Sequence, residues 1–422
     1  MTDPHTSNTL GIDFGTSNSA AGVLVNSKPH LIEFEPGQKT MPTSLFFDFD
    51  KRQIVYGTVA NSALRQGKEG RFMRSLKSVL GTSLMREERR VMGETLTFVD
   101  IISRYLAEMK SRAETACYQT FDHALSGRPV HFHSADATKD KQALVDLTEC
   151  YHAAGFKSVR FLPEPEAAAI ANGAIKTPDA IGLIVDIGGG TSDFSLFRTR
   201  ADGHGIKILA SHGVRVGGTN FDKSISVDHV MPLLGKGAEI RKEMGPGLLN
   251  PPQAIYNDLA TWEMIPFMYA PEVRRLIKDL HRLAVQPALF QRLQQVLDLE
   301  LGHDLAFAVE RGKIDVNKND RSDAKIDIHF VEPGLGVNLT ARDLVASLVN
   351  HVDDIRDAAA ETVARATLNP SQITNVIFVG GSSLMQVVQG AMADMFPSAI
   401  LQYSDAFTGV VNGLAIAADK QE

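Results

Sequence analysis

The sequence predicts an α/β protein of two pseudo-symmetric lobes, each with a mixed central sheet flanked by helices. Three observations predict it. A glycine-tipped hairpin pattern occurs twice, strand and helix patterns alternate between and after the copies, and 422 residues with 44% hydrophobic and 22% charged content suffice for two cores.

The first hairpin is "LGIDFGTSNSAAGVLV", Leu10 to Val25, and the second is "GLIVDIGGGTSDFSLF", Gly182 to Phe197. Each runs an apolar strand into an aspartate, then glycine, then small polar residues, then a second apolar strand. Asp13 matches Asp186 and Gly15 matches Gly188, an offset of 173 residues (186 minus 13) that is the size of a domain. Thr16, Ser17 and Asn18 match Thr191, Ser192 and Asp193 once two extra glycines are allowed. A single such tip reads equally as a tight turn or as an anion cradle. Two matched copies favour tips that face each other across a cleft and grip one ligand from both sides.

Between the copies, "DKQALVDLTECYHAAGF" places Leu144, Leu147, Cys150, Tyr151 and Ala154 on one helical face and stops at Gly155. A short strand, "SVRFL", leads into "PEPEAAAIANG", where Glu164 opens an alanine-rich helix. Further on, Thr340 and Asp343 form a capping pair for a helix that ends before Pro370. Then "NVIFVGGSSLMQVVQGAM" reads as strand, double glycine and helix, either a nucleotide-binding βα turn or a merely close-packed one.

Composition removes several classes of function. A net charge of −7 gives no electrostatic case for nucleic acid. The opening "MTDPHTSNTL" lacks a basic start and an apolar stretch, and no apolar run approaches bilayer length, so a cytoplasmic protein without a membrane partner is expected. Cys117 and Cys150 are too few and too far apart for a disulfide framework or a thiolate metal site, and are expected as packed thiols.

Six segments in order, "GIDFGTSNS", "FLPEPEAAAIANG", "VDIGGGTSDFS", "GGTNFD", "VERGK" and "VIFVGGSSLMQVV", resemble the ATPase domain of the 70-kilodalton heat-shock chaperones. The resemblance covers nearly the whole chain and implies the actin-like ATPase fold, ribonuclease H-like in each lobe, with the ligand cleft between the lobes. It places lobe I at 1–195 with a small cap at about 46–115, and lobe II at 196–422 with a cap at about 232–317. No linker or β-rich peptide-binding segment follows "GLAIAADKQE", so the sequence reads as a stand-alone ATPase module.

The implied cofactors are ATP or ADP with Mg2+, and potassium as a second cation. Gly15, Thr16, Ser17 and Asn18 with Gly188, Gly189, Gly190 and Thr191 supply donors to phosphate, and Asp13, Asp186 and Glu164 hold the hydrated metal. Gly217, Gly218 and Thr219, from "GGTNFD", are placed among the nucleotide contacts by the same resemblance. Glu310 and Lys313 match ribose and adenine contacts, while Gly380, Gly381, Ser382 and Ser383 back the purine. Catalysis falls to Lys77, Glu164, Asp186 and Thr191. Arg71, Arg74 and Lys77 recur every third residue, which by itself fits a solvated helical face; in register with the other motifs, Lys77 matches the lysine that orients the attacking water. Glu166 is expected at the surface.

Departures from the family are equally specific. Leu384 and Ile314 stand where basic contacts to the base are usual, and Asn18 replaces a frequent tyrosine. "VHFHSADATKDKQ" replaces the proline-containing strand end that reports nucleotide state. There, His131 and His133 alternate onto one face of an expected strand, as packed or surface histidines. "MREERR", Met85 to Arg90, reads as a solvated helix end, and Leu293, Val296, Leu297 and Leu301 as the core of the segment from Pro232 to Val309 that holds Trp262. The function expected is a chaperone-related nucleotide switch with slow ATP hydrolysis, its clients or co-chaperones unidentified. The rivals are a sugar-type small-molecule kinase, which lacks a separate acceptor-side base here, and an actin-like filament protein, which needs an apolar seam.

Overall fold

The computed structural model describes residues 8–133, 136–173, 177–201, 205–318, 323–403 and 408–418. Residues 1–7, at the opening of the chain, and Ser134 and Ala135, in the segment that departs from the family, lie outside them. Contacts divide the chain into two compact units, one of Met1–Arg215, Arg356–Leu384 and Val388–Glu422, the other of Val216–Ile355 and Met385–Val387.

The first unit opens with β1 (Thr9–Phe14) and β2 (Asn18–Val25), an antiparallel hairpin, followed by β3 (Lys28–Leu31) and β4 (Thr40–Pro42). A three-stranded sheet of β5 (Ser44–Asp48), β6 (Gln53–Tyr56) and β7 (Gly70–Arg74) comes next, with α1 (Gly57–Arg65) between its last two strands. Two 3-10 turns, Leu76–Val79 and Ser83–Arg86, lead to the small ribbon β8 (Arg89–Val91) and β9 (Glu94–Leu96). The long helix α2 (Phe98–Cys117) starts on a Thr97–Asp100 capping box and precedes β10 (His123–Arg128), α3 (Ala137–Ala153), β11 (Ser158–Pro163) and α4 (Glu164–Ala171). The second hairpin is β12 (Ile181–Ile187) and β13 (Ser192–Thr199), continued by β14 (Ile206–Val214).

Within the second unit are α5 (Gly218–Ile225), the ribbon β15 (Ile240–Arg241) and β16 (Leu248–Leu249), α6 (Gln253–Leu259), α7 (Pro271–Leu283), α8 (Pro287–Asp298), α9 (Gly302–Val316) and the hairpin of β17 (Asp323–Asp327) with β18 (Gly336–Thr340). Leu293, Val296 and Leu297 are fully buried there and Leu301 partly, as the apolar pattern predicts. Trp262 packs edge-on against His303 and Phe307, with ring centroids 4.6 and 5.2 Å away. Helix α10 (Ala341–Arg365) opens on the expected Thr340–Asp343 cap, the Asp343 carboxylate accepting from the Thr340 amide at 3.0 Å, and spans the boundary between units. The chain then adds β19 (Asn375–Val379), α11 (Gln386–Met395), β20 (Ile400–Tyr403) and α12 (Gly409–Ala418).

The two large sheets of the first unit repeat one topology. The order is β11-β10-β1-β2-β3 in one and β20-β19-β12-β13-β14 in the other. In each, a hairpin and its antiparallel third strand are joined through the hairpin's first strand to two parallel strands. The core strands β1 and β12 bury Leu10, Ile12 and Phe14, and Leu183, Val185 and Ile187, so that each aspartate projects to the opposite face from its immediate neighbours. The unit runs past residue 195 because β14 pairs with β13, and it takes in α12, which packs against α4, β1 and β2.

Three local expectations change. His131 and His133 lie in a loop beyond the end of β10, because the Asp140 carboxylate accepts from the amides of Phe132 (2.6 Å) and His133 (3.2 Å) in place of a ladder partner. Met85 is 1% exposed in the core, with Arg89 stacked 4.0 Å over Phe98, so "MREERR" is a 3-10 turn and a strand instead of a solvated helix end. Glu166 is half-buried, and its Oε1 lies 3.1 Å from where a β-carbon on Gly205 would stand. Cys150 is buried and Cys117 partly so, both free, as expected.

Candidate functional site

The hairpin tips are built by close backbone contact. A β-carbon on Gly15 would lie 2.1 Å from the Asn18 carbonyl oxygen, so the first turn closes only around glycine. In the second, the Gly188 amide donates to the Thr191 carbonyl at 2.9 Å. The tips meet: a β-carbon on Gly189 would lie 2.5 Å from Ser17 Oγ. Thr16 and Gly190 are exposed beside them. Thr191 is exposed as well and donates to Asp193 Oδ2 at 3.3 Å.

Around these tips the charged groups gather. Asp186 and Asp193 are direct cross-strand partners and share one face of the β12–β13 hairpin. Glu164, at the first turn of α4, accepts from the Lys77 ammonium at 2.7 Å, with side chains only 13% and 11% exposed. The α4 N-terminus favours that carboxylate. Lys77 sits in a 3-10 turn after β7, which itself carries Arg71 and Arg74, so the three bases do not line a helical face. Asp193 is the residue that motif reading leaves out; its only sequence signal is its match to Asn18 in the aligned copies.

The electrostatics bind the group together. Desolvation, then repulsion by Glu164, pushes the Asp13 carboxyl up to about 7 against the opposing pull of Lys77. Desolvation raises Asp186 well above the ordinary carboxylate range, and Glu164, Asp193 and Asp13 add to it. The protein packed around Asp193 and the charge of Glu164 push it up to about 6, although its side chain reaches solvent. Burial works to lower the Lys77 ammonium, but Glu164 and Asp13 outweigh it and hold the group above its ordinary value. Four carboxylates therefore face one ammonium, and the excess of negative charge in a poorly solvated site suits a divalent cation. Among the described residues no three His, Cys, Asp or Glu side chains converge as a direct metal cage. Asp13, Asp186 and Glu164 offer oxygen donors of the kind that hard cations such as magnesium take, directly or through their water shell.

The turn after β19 belongs to the same site. Gly380 has φ +79°, and a β-carbon there would stand 2.5 Å from the Ile187 carbonyl oxygen and 3.0 Å from Asp186 Oδ1. Gly381 and Ser382 continue it as a 3-10 turn, the buried Ser383 Oγ donates to the Gly380 carbonyl at 2.7 Å, and the half-buried Leu384 accepts from Gln389.

In the second unit, Gly217 precedes α5 and its amide donates to Asn220 Oδ1 at 3.0 Å, with Gly218 and Thr219 in the first turn. Lys313 is 5% exposed on α9, its ammonium 2.8 Å from Asp222 Oδ1 and 3.5 Å from the Gly218 carbonyl, while Glu310 and Ile314 are exposed on the same helix. No helix among the described residues is long and apolar enough to cross a membrane.

The sequence model of the Hsp70 protein family matches residues 9–89 and 83–245. The matched stretch spans both hairpins, Lys77, Glu164 and the Gly217–Thr219 turn, and exceeds half of the 422 residues. This chain is a member of the Hsp70 family, with the family's actin-like α/β ATPase fold and its character as an ATP-binding chaperone-family protein.

Proposed function

We propose that the protein is a chaperone-related nucleotide switch of the cytoplasm that binds ATP with magnesium and hydrolyses it slowly to ADP and phosphate. The observation that carries this reading is the convergence of Asp13, Lys77, Glu164 and Asp186 at the two touching hairpin tips. Magnesium bound with the nucleotide would neutralise phosphate charge and orient the phosphate chain. The residues of the chain divide the rest of the work. The backbone of Gly15–Asn18 and Gly189–Thr191 would present donors to the phosphates, while the Gly188 amide closes the turn on the Thr191 carbonyl, and the Thr191 hydroxyl stands at the open end of the second tip. Asp13, Asp186 and Glu164 hold the hydrated metal, Asp193 adding charge beside them. Lys77, kept protonated by its carboxylate neighbours, supplies the positive charge opposite the γ-phosphate and helps align the attacking water. Gly380–Ser383 back the base; within the second unit, Gly217–Thr219, Glu310 and Lys313 are the nucleotide contacts that the family resemblance implies.

Calorimetry with ATP and ADP in the presence and absence of magnesium, with single-turnover hydrolysis, tests the reading. Magnesium-dependent ATP binding and slow turnover that is lost in Lys77→Ala, with binding retained, are expected. Turnover that appears only on addition of a sugar acceptor, or that is unchanged in Lys77→Ala, would overturn it.

A further inference from the structure

The turn that carries Lys77 is a single 3-10 turn, Leu76–Val79, entered through Ser75 at φ +57°. It packs on α2 and buries Leu76, but no sheet ladder holds it. The backbone that follows it is tied to α3 and to the loop before that helix. The one peptide group joining Leu80 to Gly81 is gripped at both polar ends: the Leu80 carbonyl accepts from His133 Nε2 at 2.7 Å, and the Gly81 amide donates to Asp146 Oδ2 at 2.9 Å. Each gripping side chain is itself fixed. The other oxygen of Asp146 accepts from Arg86 at 3.0 Å and from Gln142 at 2.9 Å, and the backbone of His133 is tied to Asp140.

Asp146 is 1% exposed on a helix face where its neighbours Ala143, Leu147 and Cys150 are apolar and buried. An apolar residue would pack that face at no electrostatic cost, whereas a buried carboxylate costs several kcal/mol unless its oxygens are satisfied. Helix packing therefore does not account for Asp146; the Gly81 amide and the Arg86 guanidinium do. Gly81, at φ +75°, also comes so near α3 that a β-carbon would lie 2.3 Å from the Lys139 carbonyl oxygen. The backbone four residues past Lys77 is thus seated directly on α3.

We propose that His133 and Asp146 are positioning residues of the phosphate site, which clamp the Leu80–Gly81 peptide and thereby hold the Lys77 ammonium against Glu164. The catalytic part of this rests on the reading of Lys77 given above, while the placement of Lys77 does not depend on nucleotide.

Two measurements separate those parts. The first is amine labelling of the nucleotide-free protein read by mass spectrometry, with exposed Lys28 as internal reference. Labelling at Lys77 should rise about fivefold in His133→Ala and in Asp146→Ala, as expected when one net hydrogen bond no longer holds the turn. The second is single-turnover hydrolysis, where a misplaced catalytic group costs up to about a hundredfold in rate. A loss of at least about tenfold is expected with ATP affinity nearly unchanged, and no further loss when either change is added to Lys77→Ala. His133→Gln, which keeps a donor for the Leu80 carbonyl, should recover much of the rate. If Asp146→Ala does not fold, His133→Ala and Asp146→Asn carry both measurements. Unchanged Lys77 labelling, or a rate loss that multiplies with that of Lys77→Ala, would overturn the clamp. Increased labelling in a protein whose wild type neither binds nor hydrolyses ATP would keep the clamp and overturn the functional reading alone.

Discussion

Replacing Lys77 by methionine keeps most of the side-chain volume and removes the ammonium that meets Glu164. At 2.7 Å and an effective dielectric near 20, the lost attraction is about 6 kcal/mol. Much of that offsets the desolvation of two side chains only 11% and 13% exposed, and breaking one side of such a pair typically costs about 3–5 kcal/mol. A cost of about 3 kcal/mol at pH 8 is expected for the metal-free protein, read as a shift in the urea midpoint. Because the folded pKa of Lys77 is raised, its contribution is fully present below the unfolded value of 10.5 and is lost only as pH rises through the higher folded value. The lysine therefore does not titrate between pH 5 and 8, and any pH dependence of the substitution comes from the carboxylates left behind. Asp13 and Asp186, already raised, move further up without the ammonium, so the cost should shrink towards pH 4, where they bind protons. Adding Glu164→Gln should restore more than half of the loss. A cost below about 1 kcal/mol at pH 8, the range of surface pairs, or one that does not vary with pH, would refute the argument.

Asp13→Asn tests the same cluster with the opposite sign. A folded pKa of about 7 against an ordinary 3.8 means that Asp13 opposes folding increasingly as pH rises from about 4 through 7, by at most about 4 kcal/mol for roughly three units. Thermal melts of the metal-free variant should show stabilisation at pH 8 that vanishes near pH 4, together with weaker magnesium-dependent ATP binding; a variant less stable than wild type at pH 8 would contradict the desolvation account. Thr340→Ala removes the α10 cap and should cost about 1 kcal/mol by chemical denaturation without altering ATP affinity. Leu384→Arg should sharpen preference for ATP over GTP in calorimetry, and equal affinities in wild type and variant would show that this position does not select the base.

The hairpins were legible because a repeat is a local signal: an aspartate, a glycine and small hydroxyl residues recur with the same apolar flanks. The matching strand orders of the two sheets were not, since pairing of β10 with β1 or of β19 with β12 joins residues more than a hundred positions apart and leaves no periodic trace. Lys77 is marked by family register alone, because one 3-10 turn is too short for a helical pattern to mark it. Asp193 carries little sequence signal because its aligned counterpart is the uncharged Asn18, although its cross-strand pairing with Asp186 puts it beside the cluster. At His131 and His133 the alternation imitated a strand, and the Asp140 side chain took the amides that a ladder would have used.

The duplicated frame also explains why the site is lopsided. By strand order β10 corresponds to β19 and β11 to β20, so the loop after β10 is the counterpart of the Gly380 turn, and α4 is the counterpart of α12. Each pair has diverged in the same sense. The first copy places His133 in its loop and Glu164 on its helix; the second places Gly380 and Gly381 in the equivalent turn and opens its helix on the buried Gly409 and Val410. The two helices pack on each other so tightly that a β-carbon on Gly413 would lie 1.8 Å from the Ala167 carbonyl oxygen. A carboxylate on α12 matching Glu164 would be buried beside this contact without an ammonium of its own, a cost of several kcal/mol. Asp186 is already raised by burial and then by Glu164, Asp193 and Asp13, with only the pull of Lys77, whose ammonium is paired with Glu164, against them. A symmetric site would therefore double an unpaired charge, whereas the asymmetric one keeps a single lysine–glutamate pair on the first copy and leaves bare backbone on the second, where Gly380 lets the chain pass against Asp186.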